Sequence, residues 1–111
     1  MEPQHQNLNN GKWQSLTLAE QLANIGAEVG RAISWKNKGN KDQSMKALYR
    51  GLELFDFSLA DSRWNYPKLK EICRAREMVC DFLAGDNEYG CSDKFLNQYF
   101  LEFGILARLA K

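Results

Sequence analysis

Acid–base or nucleophilic catalysis needs a group poised near neutral pH, or an activated nucleophile beside one. The 111-residue chain has one histidine, His5, within the polar opening MEPQHQNLNNGK. So placed, it gives no support to Ser/His/Asp or Cys/His arrangements. Cys73, Cys80 and Cys91 make an odd count without a CxxC spacing. Zinc takes about four ligands at close spacing, so these residues point to free thiols in a reducing compartment and to no metal. Glu77 and Asp81 stand one helical turn apart and read as a solvated face. Asp86-Asn87-Glu88 lacks the alternating oxygen ligands and closing glutamate of an EF-hand loop and reads as a turn. No glycine-rich phosphate loop occurs. The expectation is a protein that is not an enzyme, with no cofactor and no small-molecule substrate.

What remains is charge. Net charge is +1, yet residues 31–76 hold eleven basic side chains against five acidic ones, an excess of six. A basic edge facing an anion fits this pattern, and so do solvated helix faces with a lysine-rich loop. The residues singled out for binding nucleic acid or a partner are Arg31, Lys36, Lys38, Lys41, Lys46 and Arg50, together with Trp35. The three tryptophans, Trp13, Trp35 and Trp64, fall at helix ends or loops. Each can plug an end of a bundle or anchor a partner. Trp35 and Trp64 flank the second helix at its two ends, which argues against both stacking on one nucleic acid.

Four helices must position these residues. Thr17-Leu-Ala-Glu20 is a capping box, with Ser15 an alternative N-cap. The first helix, from Thr17 to about Trp35, carries an apolar stripe (Leu18, Leu22, Ile25, Val29, Ala32). Beside it runs a small-residue stripe (Ala19, Ala23, Gly26, Gly30) over which another helix can approach closely. The Lys36–Lys41 loop, with Gly39, ends that helix. Asn40 or Asp42 caps the second, which places Met45, Leu48, Leu52, Phe55 and Leu59 at helical spacing. Pro67 opens the third, with Leu69, Ile72, Ala75, Val79 and Phe82 on one face. Gly85–Cys91 is a turn, and Ser92 caps the fourth helix. Phe95, Leu96, Tyr99, Phe100, Phe103, Leu106 and Ala110 form a face wide enough to suggest burial on more than one side, either in the core or against another subunit. The expected fold is all-α, an antiparallel up-down-up-down four-helix bundle over residues 13–111, with a flexible leader over residues 1–12. The apolar runs are too short to span a bilayer and the opening lacks a signal peptide's pattern, so a cytoplasmic protein is expected.

The hairpin of the first two helices resembles a tetratricopeptide unit at Ala32, Trp35, Ser44, Leu48 and Gly51, although no second copy appears at that repeat's period. The chain over roughly residues 15–110 also resembles the small bacterial four-helix-bundle proteins encoded in 23S rRNA intervening sequences and the accessory proteins of diversity-generating retroelements. The likeness lies in size, the early Leu-Ala-Glu-Gln-Leu-Ala-Asn-Ile-Gly helix and the basic middle. It implies a ring-like homo-oligomer whose basic surface engages a reverse transcriptase or nucleic acid. The other expectation is a protein–protein adaptor gripping its partner through Trp35 and Tyr49.

Overall fold

Thr17 accepts a hydrogen bond from the Glu20 amide, and the Glu20 carboxylate accepts one from the Thr17 amide, closing the expected capping box. The computed structural model describes residues 11–110. His5 and most of the expected leader lie outside the described residues. A 3-10 turn, Trp13–Ser15, precedes four helices: α1 (Leu18–Asn37), α2 (Lys41–Leu59), α3 (Tyr66–Ala84) and α4 (Asp93–Leu109). Asn40, Asn65 and Ser92 cap α2, α3 and α4 with their side chains. Gly39 (φ +78°) supplies the left-handed residue after α1, where a side chain would be strained. The described residues are helical, without strands.

Helix α1 touches each of the other three, and α3 packs chiefly on α2. Both stripes of α1 are used. Leu22, Ile25, Val29 and Ala32 are buried, and the small stripe receives α4. A Cβ added at Gly26 would lie 2.5 Å from Cβ and 2.9 Å from Cγ of Phe100. No side chain fits there without moving one of the helices.

The core face of α2 differs from the expected one. Buried are Ser44, Ala47, Leu48, Gly51, Leu54, Phe55 and Ser58, while Met45, Leu52 and Leu59 sit only partly covered. The face turns because α2 meets α1 through polar groups as well as apolar ones. Ser44 Oγ donates to the Ala32 carbonyl (2.8 Å), Arg50 Nε to Glu28 Oε2 (2.7 Å) and Ser58 Oγ to Gln21 Oε1 (2.8 Å). As the α1 position falls, that of its α2 partner rises.

Gln21, Ser58 and Asp61 are buried at one end of this contact and need partners there. Trp13 Nε1 donates to Ser58 Oγ (3.1 Å) and Trp64 Nε1 to Gln21 Oε1 (3.1 Å). Gln21 Nε2 donates to the Trp13 carbonyl (2.9 Å) and to Asp61 Oδ2 (3.0 Å). Arg63 Nη2 closes the set on Asp61 Oδ2 (2.7 Å) and the Leu16 carbonyl (2.6 Å). Thus Trp13 and Trp64 do plug an end of the helix packing, and both plug the same end.

Helix α4 is only partly covered by its own chain. Only Leu96 and Phe100 of its apolar residues are buried, with Tyr99 and Phe103 packed at the core's edge. Tyr99 Oη bonds the Glu71 carboxylate of α3. Burial and that carboxylate raise its phenol well above the ordinary range. Phe95 and Leu106 are exposed, as are Leu101, Ile105 and Leu109.

Candidate nucleic-acid interface

The seven residues singled out from the sequence fall into two groups. Lys36, Lys38 and Lys41 gather at the α1–α2 turn, beside Trp35. The negative end of the α1 dipole and the start of α2 meet there, so cations at positions 36 and 38 also stabilise the helix terminus. Lys36 Nζ stands 4.1 Å from the Phe82 ring centroid, and Lys38 Nζ 5.1 Å from that of Trp35. An open hollow of about 220 Å³ lies at this end, lined by Lys36, Gly39, Lys41, Ser44, Met45 and Leu83. Its two ammonium groups and apolar wall suit a phosphate carrying an apolar or aromatic body.

Arg31, Lys46 and Arg50 form the second group, and two of them have another task. Both arginines reach Glu28, whose side chain is only 8% exposed. A buried carboxylate without cations would be costly, so Arg31 and Arg50 support folding at that point and leave a net single positive charge. Spacing could have suggested the Arg31 link, three residues from Glu28 on a helix. It could not have supplied Arg50, which comes from the facing helix. Lys46 is exposed one turn before Arg50.

Two further arginines of the basic middle are likewise engaged, while Arg74 on α3 is exposed. Arg63 pairs with Asp61, and Arg76 Nε lies 3.3 Å from Asp56 Oδ1. Trp64 is partly covered by Arg63 and Lys68, which lie 4.3 and 5.4 Å from its ring centroid. The basic excess therefore divides largely by residue type: four of its five arginines are paired with carboxylates, and lysines are exposed at the α1–α2 end and on α2 and α3.

The groups considered for chemistry have structural uses. Asp81 accepts from the Glu88 and Tyr89 amides (2.8 and 2.9 Å), organising the 85–91 turn rather than standing free in solvent. Glu77 accepts from Tyr89 Oη (2.8 Å). Cys80 and Cys91 are half-buried free thiols, pushed above the ordinary thiol range mainly by burial. They are protonated at neutral pH and poor nucleophiles. Among the described residues no three His, Cys, Asp or Glu side chains come together to hold a metal, and no helix is long and apolar enough to cross a membrane. The adaptor residues are divided: Trp35 is half-buried, while Tyr49 on α2 is exposed. No protein-family model, curated protein or solved structure matches this chain.

Proposed function

We propose that this chain is a non-enzymatic, self-associating accessory protein of the cytoplasm that binds nucleic acid or a nucleic-acid enzyme such as a reverse transcriptase through a basic surface. The binding end is built from Lys36, Lys38 and Lys41, with Trp35 beside it and Lys46 further along α2. The carrying observation is that Lys36 and Lys41 line an open hollow, with Lys38 on the same turn over the Trp35 ring, while Arg31, Arg50, Arg63 and Arg76 are taken up by carboxylates. In this reading the helices run up, down, up, down. The falling and rising partners of α1 and α2 and the short connections between successive helices support that arrangement.

Binding led by phosphate contacts releases counterions, with about 0.7 to 0.9 of log affinity lost per contact and decade of salt. Four lysines then give a slope of roughly −3 to −4. Fluorescence anisotropy with labelled single-stranded RNA and DNA across a salt series measures it. No binding at low salt, or binding indifferent to salt, overturns the proposal. Recovery of one protein partner in high salt after nuclease treatment favours instead the adaptor reading through Trp35 and Tyr49.

A further inference from the structure

Every large aliphatic side chain left exposed among the described residues belongs to α4: Leu101, Ile105, Leu106 and Leu109, between 41% and 77% exposed. Leu101, Ile105 and Leu109 recur every fourth position and so form a ridge along one side of the helix. Directly beside the ridge runs an open groove of about 270 Å³ between α1 and α4, floored by Ala23, Gly26 and Gly104 among others. A ridge next to a groove on the same surface is self-complementary under a twofold axis, because each copy offers what the other needs.

We propose that two copies of this chain form a twofold dimer in which Ile105 and Leu109 of each seat in the α1–α4 groove of the other, with Leu101 as part of the groove wall. The heights agree. An axis crossing antiparallel α4 helices at Gly104 sets the partner's Ile105 beside position 103 and the partner's Leu109 beside position 99. Both fall within the span of the groove, whose α4 lining runs from Asn97 to Gly104 and includes Leu101; the partner's Leu101 comes beside position 107, past the groove. Gly104 has no side chain to hold the helices apart at the crossing, and the space over it is open in the single copy, where an added Cβ would meet nothing within 4 Å. Side chains this exposed present on the order of 100 Å² each. The four exposed aliphatic side chains of α4 together then present roughly 400 Å², about half of the roughly 800 Å² per partner of a standard interface, so the contact lies at the small end of specific ones. The ridge carries no excess of either charge, so it suits neither nucleic acid nor a strongly charged protein. The dimer gives definite form to the self-association in the function proposed above, and it uses a surface apart from the lysine end.

Sedimentation velocity on the full chain over a concentration series tests it. The wild type is expected to sediment as a dimer. Ile105→Glu places a charge in the centre of the contact and is expected to yield monomer with the circular dichroism spectrum unchanged. Gly104→Gln is the second variant: open space in the single copy accommodates the side chain, but it fills the close approach, so it too is expected to give monomer. A wild-type monomer at every concentration, a ring of three or more subunits, or a dimer untouched by both folded variants overturns the proposal. Anisotropy on the same samples keeps the two readings apart. Lysine-dependent RNA binding without a dimer defeats only this inference, and a dimer without such binding defeats only the function proposed above.

Discussion

Asp61 shows how much one side chain holds together here. Its carboxylate is 1% exposed and receives hydrogen bonds from Arg63 and Gln21. The Arg63 hydrogen bond is the largest influence and outweighs the opposing effect of burial, lowering the group from 3.8 to about 2. A carboxylate depressed in the folded state adds stability that is present above the unfolded value and is lost as pH falls through the folded one. Urea unfolding is therefore expected to show about 2 kcal/mol from this group disappearing between pH 4 and 2. Asp61→Asn should remove that part of the acid slope and cost about 1–3 kcal/mol at pH 7, since Arg63 loses its ionic acceptor. A variant that keeps the wild-type slope would assign the effect to other carboxylates. Ser58 gives a neutral counterpart. It accepts from Trp13 and donates to Gln21 in a buried site. Ser58→Ala leaves the Trp13 indole N–H without that acceptor, and a loss of about 1–3 kcal/mol in the same urea assay is expected.

Between helices, two glycines of the same stripe should respond in opposite directions. At Gly26 a Cβ would strike the Phe100 side chain next to its own backbone, where little can yield, whereas at Gly30 the nearest atom is Asn97 Oδ1 at 3.9 Å. Alanine gains up to about 1 kcal/mol over glycine inside a helix. At position 26 overpacking of about 1–3 kcal/mol opposes that gain. Gly26→Ala should lower the thermal midpoint and Gly30→Ala should raise it; equal shifts would mean that α4 does not approach α1 as closely as described. The small stripe of α1 was legible in the sequence because close approach demands particular residue types. Helix ends were legible for a similar reason, since Thr17, Asn40, Ser92 and Pro67 act on their own neighbours. The face of α2 was not, because Ser44 and Ser58 point inward only when Ala32, Gln21 and Trp13 are there to meet them. Nor was the state of α4. An apolar stripe announces a need for burial, but it does not say whether its own chain supplies the cover.

Across the whole molecule, the same sign of charge serves two purposes, and the sequence excess could not separate them. Charge counts treat Arg50 and Lys41 alike. Their surroundings do not: Arg50 is held against a buried carboxylate of α1, and Lys41 lines an open hollow. Removing Arg50 weakens the compensation of Glu28 inside the helix contact, so Arg50→Gln is expected to cost about 1–3 kcal/mol in urea unfolding. Arg31 remains to offset part of the charge, which keeps the loss below that of stranding a buried ion entirely. Lys38→Gln with Lys41→Gln should leave stability within about 0.5 kcal/mol, the usual range for surface changes. That pair should instead reduce the slope of log affinity against log salt by roughly 2, one for each lost phosphate contact. Binding and folding thus separate along the arginine–lysine division. If the lysine pair unfolds the protein while Arg50→Gln alone changes the salt slope, the division is the reverse of the one the ion pairs indicate, and the anion surface belongs on the flank between α1 and α2.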